Sequence, residues 1–159
     1  MSPMFRRGVM LAAVVTLLDQ YVKWMIVNDV MMPPRVIRVT PFFDLVLSWN
    51  ACISFGLFNA TPELGRWTFI AVAGAITLAL LSWLARVERG FLVLAIGLIV
   101  GGALGNIIDR LRFGAVTDFL YFHLGPYDFP AFNLADSAIT IGVGLILIDS
   151  LFGEGRSRK

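Results

Sequence analysis

The chain has 159 residues, 58% of them hydrophobic and 15% charged, with 13 Lys+Arg against 11 Asp+Glu for a formal net charge of +2. A mean hydropathy of +0.80 and a charged fraction below the ~25% of soluble domains exclude an ordinary soluble protein, and the small, scattered basic excess excludes a nucleic-acid-binding surface. A lone cysteine, Cys52, and a lone histidine, His123, exclude an intramolecular disulfide and argue against a Cys- or His-ligated metal centre.

Four apolar runs, about residues 8–27, 67–85, 91–108 and 133–152, are each close to the ~20 residues that cross a bilayer as a helix. The expected fold is an all-α membrane bundle of four transmembrane helices in one integral membrane domain, residues 1–159. The first run follows Arg6 and Arg7, as in a secretory signal. It leads, however, into Asp19-Gln20-Tyr21-Val22-Lys23-Trp24 rather than a small-residue cleavage site, so it reads as an uncleaved span with two charges inside. Asp19 and Lys23 are four residues apart on one helix face; a packing ion pair and a direct part in chemistry both stand open.

In the first loop, Arg35–Val39 and Phe43–Trp49 have strand-like composition split by Thr40-Pro41, which predicts a small extracytoplasmic sheet lying on the membrane. Thr61-Pro62 supplies a cap and a first-turn proline for the second span. In the third span, Gly97, Gly101 and Gly105 form a small-residue ridge for close helix packing. Asn106, Asp109 and Arg110 then make a polar face at its outer end, either as interface anchors or as part of a site.

Beyond that span, Asp118 sits among apolar neighbours in Gly114–Phe119, and Asn133 and Asp136 open the fourth span. A carboxylate at mid-bilayer costs roughly 2.5–3.5 kcal/mol, less near the interface, so both acids mark a functional site. They lie near the same boundary and come within reach if spans three and four pack side by side. Two carboxylates in one site cannot easily both ionise; one holds a proton while the other acts as a base, a division suited to hydrolysis. Between them runs Phe119–Phe129, rich in aromatics and hinged at Gly125-Pro126. It reads as an interfacial anchor or as a lid facing a wall made by the first loop.

Basic residues cluster in the N-terminal tail (Arg6, Arg7), the second loop (Arg86, Arg89) and the C-terminal tail (Arg156, Arg158, Lys159), seven of the 13 Lys+Arg. The positive-inside rule puts these segments in the cytoplasm and the paired acids near the opposite face. Asp149, near the cytoplasmic end of span four, is expected to reach water, and His123 to be an interface residue. Ser137 beside Asp136 carries no serine-protease motif.

Asp19-Gln20 with Lys23, Asn50 before Phe55, Gly102–Asn106 with Asp109-Arg110, Val116–Phe119, and Phe132–Ser137 together resemble the ordered motif blocks of the bacterial lipoprotein signal peptidases (signal peptidase II), over nearly the whole chain from Gly8 to Phe152. The resemblance implies an intramembrane aspartic endopeptidase of the bacterial inner membrane, multi-pass and monomeric among the membrane lipids. It would remove the signal peptide of prolipoproteins just before a diacylglyceryl-modified cysteine, and no metal or cofactor is implied. By motif, Asp118 and Asp136 match the catalytic pair. Asn106, Asp109, Arg110, Asn133 and Ala135 match residues that shape or support the site, Asn50 a residue near the substrate path, and Asp19 with Lys23 a polar pair on the first span.

One position departs from the family pattern: Cys52 stands where a glycine is usual. If that glycine serves a turn with φ > 0, a cysteine is strained there; if it only offers space, Cys52 is a small buried apolar group, which is the role expected. With no lipobox around it and the only histidine in a distant loop, neither self-lipidation nor a nucleophilic role is expected. A transporter or proton channel would place its polar groups near mid-bilayer, often in repeated halves, and an assembly factor would need no paired acids; here the acids gather at one face.

Overall fold

In the computed structural model of the chain, which describes residues 2–51 and 61–153, four long helices carry a small antiparallel sheet at one end. Cys52, Phe55 and the basic tail residues Arg156, Arg158 and Lys159 lie outside the described residues. Helix α1 (Pro3–Met25) starts on Ser2, whose hydroxyl accepts the Phe5 N–H at 3.1 Å, and runs on into a π-helical turn, Ile26–Val30. Helix α2 (Pro62–Leu84) starts at the expected cap, where Thr61 Oγ1 accepts the Leu64 N–H at 3.4 Å. Helix α3 (Gly90–Phe113) continues past the expected end at Ile108, so Asp109 and Arg110 are helical; it stops at Gly114, whose φ of 78° closes the last turn in the left-handed region that glycine enters without strain. Helix α4 spans Leu134–Gly153. All four are long and apolar enough to cross a membrane.

Helix α3 is the central post, and its glycines set how closely its neighbours approach. A Cβ on Gly97 or Gly101 would stand 3.0 Å from the Gly8 carbonyl oxygen or 2.7 Å from that of Ala12, so the expected glycine ridge is the seat of α1. On the other flank, a Cβ on Gly102 would collide with the Ala135 carbonyl, and one on Gly142 would lie 2.6 Å from the Ala95 oxygen; these two glycines seat α4. Thr16 Oγ1 ties α1 to α3 by donating to the Gly101 carbonyl at 2.9 Å. Leu84, Ile96 and Val100 fill the core, while Leu17, Leu78 and Leu147 point outward to where lipid tails lie. In a bilayer such close backbone packing, not the hydrophobic effect, holds helices together.

The sheet has the order β1 (Ile37–Thr40), β2 (Phe43–Asn50), β3 (Val116–Leu124), β4 (Tyr127–Asp128). Its first two strands are those expected from the first loop. The other two come from the third loop, which corrects the reading of Phe119–Phe129 as a lid facing a first-loop wall: wall and supposed lid are one ladder. β3 pairs with β2 on one side, and on the other Leu120 exchanges backbone hydrogen bonds with Phe132 at 2.9 and 3.0 Å. With its polar groups satisfied on both edges, β3 is not free to swing. Gly125 and Pro126 form the two-residue turn between β3 and β4, with Gly125 at φ 59° as such hairpins require.

One further expectation needs correction, and another residue gains a neighbour. Asp149 does not simply reach water: Arg89 grips it through two hydrogen bonds of 2.6 and 2.8 Å, joining the start of α3 to the end of α4. His123 sits with its Nε2 3.3 Å from Asp44 Oδ2 on the neighbouring strand.

Candidate active site

The last turns of α1 and α3, the first turn of α4 and strands β2 and β3 meet at one end of the bundle. There they bring together Asp19, Lys23, Asn50, Asn106, Asp109, Asp118, Asn133, Ala135 and Asp136.

Asp136 is placed by the cap of α4. Asn133 Oδ1 accepts the Asp136 N–H at 2.9 Å, and Asp136 Oδ2 accepts the Asn133 N–H at 3.3 Å. This is a reciprocal capping box, with aspartate in the role usually taken by glutamate. The helix dipole also favours a negative charge there. Asp136 Oδ1 accepts from Asn106 Nδ2 at 2.7 Å. The second acid, Asp118, has both oxygens held by amides: Oδ1 by Asn133 Nδ2 at 2.7 Å and Oδ2 by Asn50 Nδ2 at 3.1 Å.

Asn50 reaches Asp118 because of a bulge. Leu45 pairs with Leu120 but Ser48 with Asp118, so β2 carries one extra residue between them. A one-residue shift exchanges the two faces of a strand. Without it, Asn50 would share a face with Thr117; with it, Asn50 lies diagonally across from Asp118.

Burial pushes the Asp118 carboxyl up to about 6, the Asp136 charge adding to the rise while the Asn50 and Asn133 amides oppose it. Asp118 is 2% exposed and Asn133 wholly buried. The electrostatic picture is of two carboxylates fed by neutral N–H donors, an arrangement that favours one negative charge and resists two.

Beneath them lies a charged layer. Lys23 Nζ stands 2.9 Å from Asp19 Oδ2, 3.0 Å from Asp109 Oδ2 and 3.1 Å from Asn106 Oδ1. The Asp19–Lys23 ion pair is therefore present, and Asp109 joins it rather than anchoring at the interface. Asp19 Oδ1 accepts the Ala135 N–H at 2.9 Å, and Asp109 Oδ2 accepts the Thr117 N–H at 3.0 Å. Gly105 leaves room for this layer, since a Cβ there would collide with the Asp19 carboxylate. Arg110 stands to one side, donating to the Asn106 carbonyl at 3.2 Å with its guanidinium 5.3 Å from the Phe69 ring. Ser137 Oγ donates to the Asn133 carbonyl at 3.0 Å.

Two members of this layer stand in the quoted motif blocks but were given no role from the sequence. Gln20 Nε2 donates to Asp109 Oδ1 at 2.8 Å and to the Gly105 carbonyl at 3.2 Å, and Thr117, 1% exposed, lends its backbone to Asp109. For Gln20 a signal existed: an amide inside an apolar helix needs a partner. For Thr117 the motif block marked the position but no side-chain chemistry gave its role, because the contact is made by its backbone.

Comparison with known proteins bears on what this arrangement does. The model of the family described as "Signal peptidase (SPase) II" matches residues 11–152. The lipoprotein signal peptidase of Methylorubrum extorquens (strain PA1) is 43% identical over 148 residues, covering 92% of this chain and 86% of that protein. That of Beijerinckia indica subsp. indica is 44% identical over 156 residues, covering 97% and 92%. Among solved structures, a bacterial membrane enzyme determined by the in meso method at 2.3 Å resolution superposes with a TM-score of 0.78 at 32% identity, covering 96% of this chain and 91% of that one.

Proposed function

The chain belongs to the signal peptidase II family, and from that premise we propose that this lipoprotein signal peptidase works by aspartic chemistry, with Asp118 and Asp136 as its catalytic pair. The observation that carries the reading is the set of amide donors the two acids share: Asn133 serves Asp118 with its side chain and Asp136 with its backbone N–H, while Asn106 holds Asp136. In aspartic chemistry one member of such a pair is protonated and the other ionised.

In that state the ionised member takes a proton from water as the water oxygen attacks the scissile carbonyl, and the protonated member gives its proton to the carbonyl oxygen. The tetrahedral diol then collapses, and a proton returned to the nitrogen releases the amine product. The amide donors keep the remaining carboxylate oxygens from turning away, and burial strengthens each of these interactions.

The substrate is a prolipoprotein carrying a diacylglyceryl-modified cysteine, cut on the N-terminal side of that cysteine. The protein acts as a monomer in the bacterial inner membrane. Both termini and the Arg86–Arg89 loop lie in the cytoplasm, and the sheet and acids lie at the periplasmic face. The test is incubation of purified protein in detergent with a diacylglyceryl-modified precursor and with its unmodified form, without added metal. A product beginning at the modified cysteine, from the modified precursor alone, is expected; no cleavage, or equal cleavage of both, would overturn the reading.

A further inference from the structure

The two backbone amides bound by the charged layer are those of the residues immediately before the two acids. Asp19 accepts from Ala135 N–H, which precedes Asp136; Asp109 accepts from Thr117 N–H, which precedes Asp118. Both accepting carboxylates are ion-paired to the same ammonium, Lys23, at 2.9 and 3.0 Å. The third partner of Lys23 is Asn106 Oδ1 at 3.1 Å, and Asn106 Nδ2 holds Asp136 Oδ1. An ammonium has three hydrogens in fixed tetrahedral directions, and here each has a partner. The Lys23 side chain is 4% exposed, so water does not loosen these contacts. α4 and β3 are separate elements, and Lys23, on the distant α1, is where their anchoring carboxylates meet.

We propose that Lys23 is a positioning residue that fixes the separation of Asp118 and Asp136, by tying together the two carboxylates that clamp the backbone amides preceding them. The proposal rests on those two acids being the catalytic pair. A charged pair placed only for helix packing has no need to reach the backbone at both acids. Proton sharing and water placement between two carboxylates depend on their spacing, and a displacement of ~1 Å in such an arrangement costs on the order of 100-fold in rate.

The experiment compares steady-state cleavage of a diacylglyceryl-modified precursor, together with thermal unfolding in detergent, for Lys23→Met and for Asp19→Asn/Lys23→Met. Lys23→Met is expected to lower kcat about 100-fold with KM within about threefold of wild type, because substrate contacts are untouched. It also leaves two buried carboxylates without their cation, and its fold is expected to suffer. The double variant relieves half of that burden, leaving Asp109 alone without its cation, while keeping both backbone acceptors: the asparagine oxygen still accepts the Ala135 N–H, and Asp109 still accepts the Thr117 N–H. Only the tie between them is gone. Its unfolding temperature is expected to recover in part while kcat stays low. If kcat recovers with the fold, or if Lys23→Met keeps kcat within threefold of wild type, Lys23 serves stability alone and the proposal fails. Asp118→Asn and Asp136→Asn run alongside separate this failure from the larger one. Inactive aspartate variants with an active Lys23→Met remove only the positioning role, whereas active aspartate variants remove the catalytic pair itself.

Discussion

Asn133 and Asp118 are joined by a 2.7 Å hydrogen bond, from an amide whose oxygen caps the helix that carries Asp136. One side chain thus holds one acid directly and the other through its backbone. Replacing it separates the two roles. Asn133→Asp keeps a capping oxygen but turns the donor facing Asp118 into an acceptor. Losing a hydrogen bond to a charged group is worth roughly 1.5–3 kcal/mol, so turnover should fall about 10- to 100-fold. Asn133→Ala should show the same loss and, in addition, a lower unfolding temperature from the missing cap, worth about 1 kcal/mol. Wild-type cleavage by Asn133→Asp would show that the amide bridge does not matter to the chemistry.

The raised pKa of Asp118 makes stability depend on pH in a definite direction. Burial holds the folded-state pKa near 6, above the ordinary 3.8. Between these values the folded protein binds a proton that the unfolded chain has lost, so stability falls as pH rises from about 4 to about 6 and the loss is complete above that. The effect is roughly 3 kcal/mol at most, and Asp118→Asn abolishes it. Unfolding temperatures of the two proteins should therefore diverge in favour of the variant as pH rises through this window. In kcat/KM, the limb that reports Asp118 should lie near 6 rather than near 4. Asn50→Leu, which removes a donor to the ionised form, should move that limb to higher pH; a shift to lower pH would contradict the role given to Asn50.

The seat of α4 predicts a contrast between two glycines. A Cβ on Gly102 would collide with the Ala135 carbonyl, a backbone atom one residue before Asp136, whereas a Cβ on Gly144 meets nothing within 4 Å. Gly102→Ala should destabilise by about 1–3 kcal/mol and slow cleavage, because α4 must shift and carry Asp136 with it. Gly144→Ala should change stability by no more than about 1 kcal/mol, in the favourable direction expected of alanine in a helix, and leave cleavage unchanged. Thermal unfolding and turnover measured on both variants check the contrast; equal effects at the two positions would mean that the α3–α4 contact does not govern the site.

The four helices, the first two strands and the Thr61 cap were legible because they depend on local signals: apolar length, strand composition and capping chemistry. The polar residues were legible as a set because apolar spans make each of them conspicuous. The third strand was not, since Phe119–Leu124 reads equally as an aromatic interfacial stretch and becomes a strand only by pairing with β2, a partner far away in sequence. The bulge between Leu45 and Ser48 was hidden for the same reason, although it decides whether Asn50 faces Asp118. Most hidden was the work of Asp19 and Asp109. The spacing of Asp19 to Lys23 announces an ion pair, whereas nothing in the sequence joins Asp109 to Lys23, and the bond from Asp19 to the Ala135 backbone spans 116 positions and leaves no trace in side-chain pattern.

The central claim is that Asp118 and Asp136 together cut the peptide bond, and the most direct measurement of it is the turnover of a diacylglyceryl-modified precursor by Asp118→Asn, Asp136→Asn and the double variant, each verified as folded. Asparagine preserves shape but cannot take or give the proton, so each single change should lower kcat by about 1,000-fold or more. The double should be scarcely slower than either single, because members of one catalytic unit do not contribute additively. Either single variant cleaving at close to the wild-type rate would contradict the aspartic mechanism.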